Sequence, residues 1–297
     1  MAKHSSLRLH NRLQDTGAYL ANLVLSAPLK LALRLPYRTR VRLMGGLMAR
    51  VLAPVLGYRK RVIKNLDLVW PDLPAAEKKR LARDVPANFG RTLVEIYSGA
   101  GFKTHLADTH PEGPGLAALQ QAQADGRPVI LVSGHFGNHD AVRATVSRDF
   151  TPVGALYRPL DNSYFNAHWK DAIEGIAAPA FARGRRGLAQ MVKYLRDGGI
   201  IALLVDQHVS DGAPLTFFGH PAKTTLSAAE MAIKYNALVL PVFGLRQADG
   251  FSFRAIIQDE IPHDTPEVMA QAMNDALEEM VREHPEQWFW VHRRWKD

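Results

Sequence analysis

The residues best suited to chemistry lie in a short polar segment that follows an apolar run. Val129 to Val132 form a continuous apolar stretch with β-branched residues, which is typical of a strand buried on both faces of a sheet. Residues 133–140 then read SGHFGNHD, so that His135 and Asp140 come soon after the strand. Open α/β sheets bind their ligands outside the carboxyl ends of strands. The segment is therefore predicted to contain the active site.

The spacing of His135 and Asp140 predicts a bent connection between them. On one continuous helix, residues five positions apart are separated by about 140° around the axis and cannot meet. Gly134 and Gly137 permit the backbone conformations that a bend requires. Asp140, ionised in the first turn of the following helix, would then fix the tautomer of His135 and raise its basicity. Such a dyad can take a proton from a hydroxyl group of a substrate.

The H-x4-D spacing resembles the first motif of the glycerolipid acyltransferase superfamily. SGHFGNHD, together with YRP at 157–159, resembles the branch that adds secondary acyl chains to lipid A, the lauroyl and myristoyl type. A single H-x4-D match occurs often by chance, whereas five ordered blocks over most of the chain are a specific signal. The later blocks are LLVDQ at 203–207, TFFG at 216–219, LPVFGLR at 240–246 and PEQWFWVHRRWK at 285–296.

The resemblance implies an O-acyltransferase of lipid A and lipopolysaccharide biosynthesis, at the cytoplasmic face of a Gram-negative inner membrane. The donor would be an acyl thioester of acyl carrier protein, and the acceptor a hydroxyl of an anionic glycolipid, a lipid A precursor. His135 would be the general base and Asp140 its partner. Donors near Gly137 and Asn138 would stabilise the oxyanion. Because the thioester is already activated, no metal, nucleotide or other cofactor is expected.

Four further residues are predicted to bind substrate. Arg158 follows a short strand beside a proline and can offer a planar fork to a phosphate, although a structural salt bridge would also explain it. The resemblance favours the phosphate. Asp206 and Gln207 follow the strand predicted over 200–205, where the superfamily carries an acidic residue close to the catalytic histidine; helix capping is the alternative for Asp206. Asn138 completes the set.

Composition limits the class of protein. A chain of 297 residues with 47% hydrophobic and 22% charged residues can bury a large core and is not typical of disorder. The absence of cysteine excludes disulfides and cysteine nucleophiles. Neither a Walker loop nor a GxGxxG fingerprint occurs, which argues against nucleotide and dinucleotide chemistry.

The positive charge is concentrated at the front of the chain. Residues 1–64 contain 13 Lys and Arg and one acidic residue, whereas the whole chain carries only +8. Apolar residues recur at helical spacing over 18–35, but the longest charge-free stretch, 16–29, is shorter than the ~20 residues that span a bilayer. We therefore predict an interfacial helix in the membrane plane, with a tilted span as the alternative. A second amphipathic helix over 41–56 packs on the catalytic domain, faces the membrane, or does both.

Strands alternate with helices over residues 127–284, which predicts an α/β fold with a mixed central sheet flanked by helices. We expect two regions, a basic amphipathic helical membrane-association region over residues 1–70 and an α/β acyltransferase domain over residues 71–297. The aromatic residues near the end, among them Trp288 and Trp290, predict either a membrane-interface belt, which their neighbouring cations favour slightly, or part of the core.

Three other functions remain open. One is an acyltransferase of the same superfamily that acts on another phospholipid or glycolipid. Another is a metallohydrolase that uses His135, His139 and Asp140 as ligands, since the two histidines are spaced i, i+4. The third is a non-catalytic adaptor, suggested by the pI of 9.7. Basic residues at the front are not interleaved with stacking aromatics, which argues against nucleic acid as the partner.

Overall fold

The computed structural model describes residue 27 and residues 29–296. Residues 29–33 are helical, and α1 (Tyr37–Leu47) continues through a π-helical turn, Met48–Leu52, to Val55. The predicted interfacial helix beginning at residue 18 lies largely outside the described residues. No single described helix is long and apolar enough to cross a bilayer, and only a pair bent by 84°, Tyr37–Val55 with Tyr58–Val69, meets that criterion.

Two helices connect this region to the sheet. They are α2 (Tyr58–Val69) and α3 (Ala75–Tyr97), and the predicted boundary at residue 70 falls in the turn between them. Helix α1 and helix α2 both pack against α3. The division into two regions stays a prediction.

The rest of the chain alternates strands and helices around a seven-stranded sheet. In chain order the elements are α4 (Ala100–His105), β1 (Pro111–Glu112), α5 (Leu116–Ala124), β2 (Val129–Ser133), α6 (His139–Asp149), β3 (Val153–Tyr157), α7 (Ser163–Ile176), β4 (Ala180–Ala182), α8 (Arg185–Arg196), β5 (Ile200–Leu204), β6 (Ala213–Phe217), β7 (His220–Thr224), α9 (Ser227–Tyr235), β8 (Leu238–Arg246), β9 (Phe253–Ile257) and α10 (Pro266–Glu283).

The sheet is mixed, as the sequence predicts. Its strand order is β1-β9-β8-β2-β5-β3-β4, and the five strands from β8 to β4 run parallel to one another. Strand β9 is antiparallel to β8 and carries β1 beside it. Strands β6 and β7 form a separate antiparallel hairpin. The short strand β4 and this hairpin are absent from the sequence prediction, because three- to five-residue segments with little apolar periodicity give a weak signal.

Strand β2 is buried on both faces, which explains its unbroken apolar sequence. Ile130 and Val132 pack in a core cluster with residues of α8, α9 and α10. Val129 and Leu131 pack in a second cluster with residues of α5 and α6. Because alternate side chains point to opposite faces of a strand, helices cover both sides of the sheet.

The terminal tryptophans belong to the core. Trp288 and Trp290 are both 0% exposed and pack with Phe217 and Phe218 of the hairpin region. The indole nitrogen of Trp290 donates to the carbonyl of Pro285 at 2.7 Å. The favoured prediction of an interface belt is therefore wrong for these two residues. Internal hydrogen-bond partners allow the indoles to be buried.

Candidate active site

The register of two neighbouring strands brings His135 and Asp206 together. Ser133 of β2 pairs with Leu204 of β5, and the amide of Val205 extends the ladder by donating to the Ser133 carbonyl at 2.9 Å. His135 and Asp206 each lie two residues beyond this last pair. Since the strands are parallel, both residues emerge at the same edge of the sheet.

Asp206 holds His135 through both of its carboxylate oxygens. Oδ1 accepts a hydrogen bond from His135 Nδ1 at 2.8 Å, and Oδ2 accepts from the His135 backbone amide at 2.8 Å. Oδ2 also accepts from the indole of Trp288 at 2.9 Å. Asp206 is 0% exposed, and burial alone would raise its pKa. The attraction and hydrogen bonds of His135 outweigh burial and hold the pKa of Asp206 well below its usual range, so this carboxylate is ionised.

Asp140, the predicted partner of His135, binds Arg143 instead. Its Oδ1 accepts from Arg143 Nε at 2.6 Å, and the same guanidinium donates to the carbonyls of Ala177 and Ile173. Residues three apart on a helix share one face, so Arg143 is the local partner for a carboxylate in the first turn of α6. Burial raises the pKa of Asp140, but the opposing effect of Arg143 is larger, so the pKa lies below its usual value. The structure thus replaces Asp140 with Asp206 as the carboxylate that contacts His135.

We expect Asp140→Asn to lower the free energy of unfolding by about 3–5 kcal/mol, since it leaves the buried charge of Arg143 without its counter-ion. Chemical denaturation of the purified protein measures this loss. Asp197→Asn is the matched control, because the Arg196–Asp197 pair is more than half exposed and should contribute less than about 1 kcal/mol. Equal losses in the two variants would contradict a buried structural role for Asp140.

The turn between β2 and α6 is held by backbone hydrogen bonds to Gly244 and Gln287. Gly137 has φ +52°, and a Cβ there would lie 2.1 Å from the carbonyl oxygen of Gly244. Its amide donates to the Gln287 carbonyl at 2.9 Å, and the amide of Asn138 donates to the Gly244 carbonyl at 2.9 Å. Both backbone donors predicted for the oxyanion are therefore already bonded within the protein.

Asn138 is a capping residue whose side chain is enclosed in the protein. Its side chain is 0% exposed, and Oδ1 accepts from the amide of Asp140 at 3.0 Å at the start of α6. Its Nδ2 donates to Glu95 Oε2 at 2.8 Å. The prediction that Asn138 binds substrate is corrected, because both polar ends of its amide are used inside the protein.

A buried ion pair that sequence reasoning missed supports this turn. Arg246 Nη1 and Nη2 contact the two oxygens of Glu95 at 2.6 and 2.7 Å, and Arg246 Nε donates to Asn88 at 2.7 Å. Glu95 is 0% exposed on α3, whereas helical periodicity alone does not distinguish it from a surface carboxylate. The pair holds the Glu95 oxygen that orients Asn138.

Two more histidines flank His135. His139, the first residue of α6, has its ring centroid 5.8 Å from that of His135, and His292 has its centroid at 4.6 Å. Burial lowers the pKa of His139, against the opposing effect of Asp140. Burial likewise lowers the pKa of His292 to about 4, although Asp206 opposes it. Both rings are therefore neutral at pH 7. Sequence reasoning missed His292, although it lies in the WVHRRWK block.

The arrangement does not assemble the ligand set of the predicted metallohydrolase. Asp140 is occupied by Arg143, whose positive charge would repel a cation there. Among the residues that the structure describes, His135, Asp206 and His292 do offer three ligand atoms within 4.8 Å of one another. The Asp206 oxygens already accept three hydrogen bonds, so a cation at this cluster would have to displace them. Hydrogen bonding accounts for His135 and Asp206 in this cluster, whereas Nε2 of His292 is buried with no hydrogen-bond partner among the described residues.

His135 opens into a cavity of about 1360 Å³. This volume exceeds the ~300–1,000 Å³ typical of small-molecule sites, and the lining is largely apolar. Its apolar wall includes Leu93, Tyr97, Leu131, Ala155, Phe165, Trp169, Ala202 and Phe289. A cavity of this size and character suits a long hydrocarbon chain.

The cavity contains only some of the predicted site residues. His135, Asp140 and Arg158 all line it. The side chain of Arg158 is 76% exposed, and its nearest ionic partner is Asp161 at 4.0 Å, so the guanidinium is available to a ligand. Asp206 is buried behind His135, and Gln207 is exposed and does not belong to the lining. The predictions that Asp206 and Gln207 bind substrate therefore find no support in the cavity.

The geometry assigns complementary roles to the two nitrogens of the His135 ring. The protonated Nδ1 donates a hydrogen bond to Asp206, so Nε2 is left as the acceptor. Nε2 can take a proton from a hydroxyl in the cavity, and the ionised Asp206 stabilises the imidazolium that forms. The site can therefore activate an alcohol for attack on an acyl carbon.

Comparison with known proteins agrees with this chemistry. Residues 9–297 match the family described as bacterial lipid A biosynthesis acyltransferase. The lipid A biosynthesis lauroyltransferase of Escherichia coli K12 is 25% identical over 90% of this chain and 88% of its own length. The palmitoleoyltransferase of the same organism is 29% identical over 84% and 82%. A phosphatidylinositol mannoside acyltransferase of Mycobacterium tuberculosis H37Rv is 23% identical over 61% and 58%. With the family match extending over nearly the whole chain, the protein is a member of the bacterial lipid A biosynthesis acyltransferase family and an acyltransferase.

Proposed function

We propose that this protein transfers a fatty acyl chain from acyl carrier protein to a hydroxyl of a lipid A precursor, at the cytoplasmic face of the inner membrane. The observation that carries the proposal is the His135–Asp206 pair at the wall of a large apolar cavity, in a chain that belongs to the lipid A acyltransferase family. The names of the lauroyl- and palmitoleoyltransferase relatives support a lipid A acceptor.

In the proposed reaction His135 Nε2 removes the proton of the acceptor hydroxyl. The hydroxyl oxygen bonds at the same time to the thioester carbonyl carbon. The carbonyl π electrons move to the oxygen, which becomes an oxyanion in a tetrahedral intermediate. When the carbonyl re-forms, the carbon–sulfur bond breaks, and His135 gives its proton to the leaving thiolate. Asp206 keeps the ring in the required tautomer and offsets its transient positive charge.

The cavity suggests where each substrate binds. The apolar wall offers burial to the acyl chain, at about 0.8 kcal/mol for each CH₂ group removed from water. Arg158 would contact a phosphate of the acceptor, since a planar guanidinium matches phosphate oxygens and its only ionic partner among the described residues is a carboxylate at 4.0 Å. Asp140 would act indirectly, by neutralising Arg143 at the cavity wall.

An exposed apolar stripe supports a membrane surface as partner. Leu43, Leu47, Val51 and Val55 follow one another at intervals of four residues, and each is between 39% and 82% exposed. Four-residue spacing places them on one side of the helical segment. The cationic residues Lys30, Arg34, Arg42 and Arg50, in the same part of the chain, are also exposed, which suits anionic headgroups. Leu43 and Leu47 also line the cavity, so the stripe and the acyl site are continuous.

We expect the variant with Leu43→Asp, Leu47→Asp and Val51→Asp to lose at least about tenfold in partitioning to vesicles, because three apolar side chains no longer leave water. Flotation with vesicles of phosphatidylethanolamine and phosphatidylglycerol measures the bound fraction. The matched control carries the same change at Leu188, Ile233 and Val268, which are 45%, 42% and 52% exposed outside the stripe. Equal binding by the two triple variants would contradict the role of the stripe.

The function is tested by incubating the purified protein with a series of acyl-carrier thioesters and lipid A precursors and measuring the mass of the lipid product. A gain of one acyl group on the precursor supports the proposal. Phosphatidylinositol and its mannosides serve as competing acceptors, since one relative is named for that substrate. Transfer to these lipids but not to lipid A precursors would assign the protein to a different glycolipid.

A further inference from the structure

The reaction develops negative charge on the thioester oxygen, and the predicted donors for that charge are already used. The amides of Gly137 and Asn138 donate to carbonyls within the protein. The Asn138 side chain donates to Glu95, and the Trp288 indole donates to Asp206. An oxyanion formed beside His135 therefore needs a different hydrogen-bond donor.

The other polar side chains at this part of the cavity are also bonded. Asn88 and Thr92 both donate to the carbonyl of Gly137, at 3.2 and 2.8 Å. Gln287 donates to the carbonyl of Arg246 at 2.8 Å. Arg143 makes three contacts, to Asp140 and to two carbonyls. These hydrogen bonds hold the four side chains in the turn and the cavity wall.

His139 differs from them because its ring lines the cavity and makes no hydrogen bond to any residue that the structure describes. Asp140 Oδ2 lies 3.7 Å from His139 Nε2, beyond hydrogen-bond distance. The side chain is 24% exposed. Its ring is tilted by 65° to that of His135, with the centroids 5.8 Å apart. Both rings line the same cavity, so an intermediate bound on the cavity side can meet a nitrogen of each.

We propose that His139 is a catalytic residue, whose ring N–H donates a hydrogen bond to the oxyanion of the tetrahedral intermediate while His135 handles the proton. This inference rests on the proposed acyl transfer and assigns a further residue to it. One imidazole faces the attacking hydroxyl, and the other faces the carbonyl oxygen of the thioester.

The electrostatic surroundings suit a neutral donor. Burial and Arg143 both lower the pKa of His139, so at pH 7 its ring donates a hydrogen bond without competing with His135 for the substrate proton. Asp140 and Asp206 are the carboxylates that face this ring, and His135 and Arg143 are its basic neighbours. Arg143 neutralises Asp140, and the imidazolium of His135 offsets Asp206, so neither carboxylate repels the developing oxyanion. The Asp140–Arg143 ion pair at the cavity wall thus keeps the charge near the oxyanion balanced.

The test is steady-state kinetics of acyl transfer by His139→Phe, which keeps the ring and removes both nitrogens. We expect kcat to fall about 100-fold, as with the loss of one oxyanion donor, with the KM values of thioester and acceptor within about threefold of wild type. His139→Gln and His139→Asn each place an amide N–H near one of the two ring-nitrogen positions. At least one of these variants should have a kcat about tenfold or more above that of His139→Phe. His110→Phe, at a histidine whose side chain is 68% exposed, is the matched control and should leave kcat unchanged.

The outcomes separate this inference from the function on which it rests. Wild-type protein without acyl transfer would reject the proposed function itself. Active wild type with His139→Phe within about threefold of its kcat, or with the loss confined to KM, would overturn the role of His139 alone. Lack of rescue by both amides would also overturn it. Should thermal melting reveal that His139→Phe is unfolded, His139→Leu takes its place under the same criteria.

Discussion

His135→Ala is expected to lower kcat for acyl transfer by about 100- to 10,000-fold, the range typical of a positioned general base. Without the imidazole, the acceptor hydroxyl keeps its proton, and a neutral alcohol attacks a thioester slowly. The ring is 26% exposed at the cavity, so its removal leaves a space open to water and little buried apolar area is lost. The mass of the lipid product over time, with acyl-carrier thioester and lipid A precursor in excess, measures the effect.

The control for this prediction is His110→Ala, whose histidine pairs with Asp149 at the surface. Both variants should melt within a few degrees of wild type, so that any kinetic difference reflects chemistry. If His135→Ala were folded and retained more than a tenth of the wild-type kcat, another group would have to remove the proton and the mechanism would be rejected.

Asp206→Asn is expected to give the second large loss, lowering kcat by about 100- to 10,000-fold. The amide cannot accept both hydrogen bonds of His135 and that of Trp288 as a carboxylate does, because one of its two polar atoms is itself a donor. The His135 tautomer is then no longer fixed, and its protonated form loses a counter-charge. Since Asp206 does not line the cavity, the KM of the acceptor should change much less than kcat.

Asp211→Asn, an exposed position five residues further along the chain, is the matched control and should behave as wild type. Asp140→Asn supplies the decisive comparison, because the local sequence motif predicts that Asp140 supports His135 and the structure places Asp206 there. At temperatures where both are folded, Asp206→Asn should have the lower kcat. The reverse order would restore Asp140 as the partner of the base.

Much of the fold follows from local sequence signals. The apolar run before the active-site turn, the proline at the start of α10 and the Asp249-Gly250 turn between β8 and β9 all predict elements that the structure contains. These signals depend on residues that are close in the chain, such as β-branched runs, capping residues and glycine with positive φ. The position of His135 at the end of a buried strand is of the same kind. Its recognition required no knowledge of the tertiary structure.

The partner of His135 could not be predicted in that way. Asp140 is five residues away and Asp206 is 71, and local spacing favours the nearer carboxylate. The choice depends on which strand lies beside β2 and in which register, and pairing of Ser133 with Leu204 settles both. One sequence signal does point to Asp206, because β2 and β5 both end in polar residues and parallel strands bring such residues to one edge of the sheet.

The buried polar pairs and aromatic residues were decided by tertiary structure for a related reason. Glu95 meets Arg246 across 151 positions of sequence, and Trp288 meets Asp206 across 82. A charged or amphipathic side chain has the same local pattern whether it lies at a surface or is buried with a partner, because burial becomes favourable only when the partner is in place. The sequence by itself determined the family, the candidate base His135 and most of the strands and helices along the chain. Only the packed structure determined which carboxylate contacts His135, which histidines lie beside its ring and which tryptophans are enclosed, since each depends on the packing of separate elements.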